Sequence, residues 1–138
     1  MVCLDLSTEA KKALALCLRW AKPEEDEVLL VSIAELYSTS SVLSLLRVDF
    51  DSQILEKANH HILKGTKEMM LEYEEECTKR NLQYSVIVEA GDPRERICTL
   101  AKEHGVDFLF LGKKGKTTLE RYPFAFLIPL YFVSSPLT

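Results

Sequence analysis

The stretch from Gly91 to Lys116, GDPRERICTLAKEHGVDFLFLGKKGK, leaves this chain few choices of fold. Gly91 closes a preceding strand. Asp92 is a helix N-cap, Pro93 suits the first helical position, and Glu95 stands at the capping-box position three residues after the cap. Ile97, Leu100 and Ala101 recur at helical spacing until His104-Gly105 ends the helix. Val106 to Leu111 is a nearly continuous apolar run, as a strand covered on both faces requires. It passes directly into a basic glycine turn, Gly112-Lys113-Lys114-Gly115-Lys116. A turn of this kind, at the carboxyl end of a buried strand, is where open α/β sheets hold ligands.

The rest of the chain repeats the alternation. Val2 to Leu6 reads as a short strand. Ser7 or Thr8 begins a helix to about Trp20, with Ala10, Ala13, Leu14, Cys17 and Leu18 on its apolar side. Pro23 and the acidic run Glu24 to Glu27 form a solvated turn before a second strand, Val28 to Ala34. Glu35 to Phe50 is a long connection carrying Ser38-Thr39-Ser40-Ser41. A helix follows from about Ser52 to Arg80, its apolar side marked by Ile54, Leu55, Ala58, Ile62, Met69 and Tyr73. Gly65 inside it suggests close packing or a bend. Leu82 to Glu89 is a third strand. The pattern predicts a single-domain, open, mainly parallel α/β sheet of four to five strands with helices on both faces.

Composition narrows the function classes. The chain has 138 residues, enough for one domain, and a formal net charge of −4, which argues against a nucleic-acid binder working through a basic surface. Cys3, Cys17, Cys77 and Cys98 are scattered without a CxxC pair, as in a reduced intracellular protein, and buried inert thiol is their simplest reading. Adjacent His60 and His61 point about 100° apart on a helix and cannot chelate one metal together. No HExxH, GxSxG or Cys/His signature marks a catalytic site.

The basic glycine turn invites comparison with a P-loop. That motif needs four residues between its glycines, whereas only two separate Gly112 from Gly115, so a Walker A loop is rejected. Backbone N–H groups in such a turn still suit phosphate, with Lys113, Lys114 or Lys116 adding charge; a polar turn tightened by glycine is the simpler alternative. Asp5, after the first strand, has two readings of equal weight: a hydrogen-bond partner for a ligand's base or sugar, or an aid to the helix start.

These residues resemble the universal stress proteins. The likeness spans about Val2 to Arg121 and rests on Leu4-Asp5-Leu6-Ser7, on GDPRERICTLAKEHGVDFLFLG, and on the G-x-x-G turn at Gly112 and Gly115. It implies a Rossmann-like sheet of the adenine-nucleotide-binding type, in a cytoplasmic stress-response protein that is a homodimer. For the subgroup that binds ATP or AMP, it implicates Asp5, Ile33, Leu111, Gly112 and Gly115, with Lys113 and Lys114 available to phosphate and Mg²⁺ accompanying ATP. The family's phosphate motif continues, nine residues on, with Gly and Ser/Thr; here Ala125 and Phe126 stand there. Ala lacks the freedom for positive φ and Phe has no hydroxyl. The expectation is thus a universal-stress-protein-like domain over residues 1–121 with an incomplete phosphate site. Residues 122–138 form an uncharged apolar tail, broken by Pro123, Pro129 and Pro136, that can contribute an edge strand over Leu130 to Val133. Two other readings use the same fold: a non-nucleotide homodimeric interaction module, and a slow ATP-hydrolysing enzyme, which ranks last because no residue stands out to position water. Neither a nucleic acid nor a membrane is expected as a partner. Three prolines in so short a tail fall short of a span of about 20 apolar residues.

Overall fold

The structure is a computed structural model that describes residues 1–38, 52–113 and 130–134. Five strands form one parallel sheet: β1 (Val2–Cys3), β2 (Glu27–Ala34), β3 (Gln83–Ala90), β4 (Leu109–Lys113) and β5 (Leu130–Ser134). Their spatial order is β3-β2-β1-β4-β5, so the first strand lies at the centre. Three helices are described: α1 (Thr8–Trp20), α2 (Ser52–Lys79) and α3 (Pro93–Glu103).

Alternation along the strands sorts the core into two layers. Val2, Val28, Leu30 and Phe110 pack with Ala10, Ala13, Leu14, Cys17 and Leu18 of α1 and with Met70, Tyr73 and Cys77 of α2. Leu29, Val31, Leu109 and Leu111 point the other way and pack with Ile97, Leu100 and Ala101 of α3. Successive residues of β2 are thus buried on opposite faces, which is why VLLVSIA reads as an unbroken apolar run. Leu30 and Val31 are both 0% exposed, and each is worth about 1.5–3 kcal/mol of apolar transfer.

Local chemistry sets the helix ends. Ser7 caps α1, its hydroxyl oxygen accepting from the Ala10 amide at 3.1 Å. Asp92 caps α3: Oδ1 accepts from the Arg94 amide at 2.8 Å, while Arg94 closes an ion pair back onto the same carboxylate at 2.9 Å. Hydrogen bonding from Arg94 holds the Asp92 carboxyl below its usual value. His104 is the C-cap of α3, and Gly105 follows with φ +57°.

Three expectations need correction. The strand expected over Val2 to Leu6 stops at Cys3, because the Asp5 side chain accepts from the Ser7 amide at 2.7 Å and turns the chain into α1. The strand expected from Val106 begins at Leu109; the Val106 amide still bonds to Ala101 O of α3 at 3.0 Å, so that residue closes the helix. Gly65 does not pack closely: a Cβ there meets nothing within 4 Å, and α2 continues through it. Only Met70, Tyr73 and Cys77 of α2 are buried among the described residues; of the apolar stripe in its first half, Ile54 is 59% exposed, whereas Leu55, Ala58 and Ile62 are half-buried.

Candidate functional site at the carboxyl edge of the sheet

Strand order reverses at β1. From β1 the chain moves outward through β2 to β3 on one side, then returns to lay β4 on the other. In open parallel sheets such a switch point opens a crevice at the strands' carboxyl ends. Register fixes what stands there. Cys3 pairs with Val31 on one side and Leu111 on the other. The Leu4 amide still donates to Val31 O at 2.8 Å, so Asp5 follows just beyond the ladder, on the side where β2 runs on to Ile33 and β4 to Gly112 and Lys113.

Asp5 is exposed, and its carboxylate already organises the turn into α1 through the Ser7 amide. Its backbone is fixed from another direction. The hydroxyl of Tyr73, in the second half of α2, donates to Asp5 O at 2.8 Å. Tyr73 is 5% exposed, and burial followed by the nearby Asp5 charge raises its phenol pKa. Sequence patterning read Tyr73 only as an apolar-face residue. A partner 68 residues away leaves no mark on helical periodicity.

Gly112 has a definite reason to be glycine. A Cβ on it would lie 2.5 Å from Ala10 N and Glu9 C and 2.9 Å from Glu9 Cβ. The first turn of α1 therefore sits against the bare α-carbon of β4, and the amino end of that helix is drawn to the edge beside Asp5. Close approach of a helix requires this glycine whether or not a phosphate binds. Gly112 is itself exposed, so its backbone faces the crevice mouth.

The remaining expected residues divide. Ile33 is half-buried against the α3 layer, at the side of the crevice formed by β2. The Leu111 side chain is buried at 4% exposure beneath α3, so only its backbone can border a ligand. Lys113 is the last residue of β4, paired with Ser134 of β5. Lys114, Gly115, Ala125 and Phe126 lie outside the described residues, as does the connection 39–51.

The far side of the edge is polar. Gly91, with φ +147°, donates to Ala34 O at 3.1 Å and leads into the Asp92 cap. Arg96 of α3 reaches Glu89 of β3 with Nε–Oε2 at 2.8 Å. Asn59 of α2 closes two 3.0 Å hydrogen bonds with Tyr37, accepting from its N–H and donating to its C=O, and so pins the chain just beyond β2. No group of three or more His, Cys, Asp or Glu residues placed to hold a metal ion occurs among the described residues. Nor is any helix among them long and apolar enough to cross a membrane.

Comparison with known proteins agrees with this architecture. The sequence model of the Universal stress protein family matches residues 1–125. Universal stress protein YxiE of Bacillus subtilis is 23% identical over 122 residues, covering 87% of this chain and 81% of that protein. Among solved structures, hypothetical protein MJ0577 superposes with a TM-score of 0.77 at 20% identity, covering 99% of this chain and 95% of the other. A universal stress family protein from Burkholderia pseudomallei gives 0.72 at 20% identity, with 96% and 92% covered. A family member from Arabidopsis thaliana with AMP bound gives 0.61 at 17% identity, with 99% and 90% covered. With the parallel order β3-β2-β1-β4-β5 and a family match over most of its length, this chain belongs to the universal stress protein family.

Proposed function

We propose that the protein is a stress-response module that binds one adenine nucleotide at the carboxyl edge and acts by binding rather than catalysis. The observation that carries this reading is the convergence of Asp5 and Gly112 at the ends of adjacent central strands, beside the amino end of α1. An exposed carboxylate suits a ribose or base, and the bare backbone at Gly112 suits close approach of a phosphate. The AMP-bound relative from Arabidopsis thaliana supports the ligand class. AMP is favoured over ATP, because Ala125 and Phe126 replace the Gly-Ser/Thr half of the phosphate motif and a single phosphate asks less of it. Where ATP binds, Mg²⁺ accompanies it. Hydrolysis is expected at background rate, and the assembly as a homodimer in the cytoplasm.

Calorimetric titration with AMP, and with ATP plus Mg²⁺, tests the reading. About one AMP per chain is expected, with ATP weaker. Asp5→Asn should weaken AMP at least tenfold while the far-UV spectrum is retained. Unchanged affinity in that variant removes Asp5 from the site. No binding of either nucleotide replaces this reading with the non-nucleotide interaction module.

A further inference from the structure

The sheet ends on one side at β3, and among the described residues no strand lies beyond it. Its inner side pairs with β2 residue by residue from Gln83 to Ala90. Just past the strand, the Gly91 N–H points inward to Ala34 O. Peptide groups of successive strand residues face opposite ways, so those of Tyr84, Val86, Val88 and Ala90 point outward, away from β2. Among the described residues no group takes them up. Folded proteins blunt such edges with lysine, proline or a bulge. QYSVIVEA holds no lysine and no proline, and its register with β2 skips no residue. Two apolar side chains also stand open beside it. Val86, paired with Leu30 and so on the α1–α2 face, is 36% exposed. Leu71 of α2 is 58% exposed. It comes three residues before Glu74 and seven before Thr78, and so shares their flank of the helix. Glu74 and Thr78 meet the Tyr84 hydroxyl at 3.5 and 3.3 Å, which sets that flank over the β3 edge.

We propose that this edge pairs with the same edge of a second copy of the chain, antiparallel about a two-fold axis at Ile87. The pairing rests on the homodimer of the functional reading and gives that dimer its face. Register decides the axis. Outward residues must oppose outward residues, and an axis at Ile87 engages all of them: Tyr84 opposite the partner's Ala90, Val86 opposite the partner's Val88, and the reverse pairs. Between them Ile87 meets its own symmetry mate on the α3 face, and Ser85 stands opposite the partner's Glu89. Glu89 is the strand's single charged residue, so no like charges oppose one another, and Arg96 Nε already holds it at 2.8 Å. The centre of the seam is apolar on both faces, valine against valine on one and isoleucine against isoleucine on the other. The two α2 flanks that carry Leu71 come side by side over it. This self-matching of backbone, charge and apolar centre selects a second copy over an unrelated strand. The crevice at β1 and β4 lies beyond β2, so AMP binding is a separate readout.

Sedimentation velocity of the full chain measures the assembly. A dimer is expected. Val86→Lys sets a charge at the seam and should raise the dissociation constant at least tenfold while the far-UV spectrum is retained. Ile87→Cys tests the register independently, even where the lysine variant does not fold. Residues directly opposed in a non-hydrogen-bonded antiparallel pair have Cα atoms about 4.5 Å apart, within disulfide reach. Oxidised with diamide, Ile87→Cys should therefore run as a covalent dimer on non-reducing electrophoresis. Ser85→Cys should not, because its symmetry mate lies four residues, roughly 13 Å, along the strand. A folded Val86→Lys protein as dimeric as the wild type, no cross-link in Ile87→Cys, or an equal cross-link in Ser85→Cys would each overturn this interface while leaving a homodimer built through another face. A wild-type chain that stays monomeric at every concentration would overturn both, whatever AMP titration shows.

Discussion

Gly112 and Tyr73 show how single atoms hold the carboxyl edge in place. Gly112→Ala forces a Cβ to within 2.5 Å of the α1 backbone, which cannot yield as a flexible side chain can. Such overpacking costs about 1–3 kcal/mol, to be read from urea unfolding, and the strain should also weaken AMP by displacing the first turn of α1. Tyr73→Phe removes only the hydroxyl that donates to Asp5 O. Its expected cost is about 1 kcal/mol. AMP affinity should fall in this variant although Tyr73 needs no contact with the ligand, because Asp5 loses its fixed backbone. The placement of Asp5 and Gly112 at the carboxyl edge was legible from sequence, since an acid after a strand and a glycine after a buried run are local signals. Tyr73 was not, because its role is set by a partner 68 residues distant. Leu111 shows the converse: its place in the motif pointed to the site, but strand alternation turns its side chain into the core.

The helices were legible nearly to the residue because their caps are written into the chain. Ser7 and Asp92 stand where the sequence put them, and the five apolar residues read for α1 are its buried set. Strand ends were read less well, since β1 and β4 are trimmed by an Asx turn and by a helix-closing amide that periodicity does not register. Two predictions follow at this scale. Gly65→Ala should stabilise by about 0.5–1 kcal/mol, since the site is open and the backbone helical; calorimetric melting measures it. Asp92→Asn separates the charge from the shape of the α3 cap. Because the folded carboxyl titrates below its unfolded value, its stabilisation is complete above the ordinary carboxylate pKa of about 4 and fades as pH falls through the lowered folded value. Unfolding curves of the two proteins should therefore differ at neutral pH and converge in acid.

At the scale of the molecule, two apolar layers clamp a parallel sheet, and the thiols record how tightly. Burial pushes the Cys3 thiol up to about 12 and Cys17 and Cys77 to about 11. No disulfide joins the four cysteines, and Cys98 is buried as well. At pH 8 their reaction with a thiol reagent should follow unfolding and accelerate in step with urea; fast modification of the native protein would count against this packing. The overall fold was foreseeable because alternating strand and helix patterns admit few topologies.

The central place of β1 bears on how the chain assembles during synthesis. Its first residue, Val2, pairs with Phe110 in sequence-distant β4, and the ladder on that side waits for that strand. A ribosome adding about 5–20 residues per second leaves β1 with one open flank for several seconds while β2, α2, β3 and α3 emerge. Until then, the half already made presents a growing row of apolar side chains and ungripped peptide groups to whatever is nearby. The last-made part of the sheet is thus what shields the first, and an interruption of translation before residue 109 would leave an adhesive half-sheet instead of a small stable fragment.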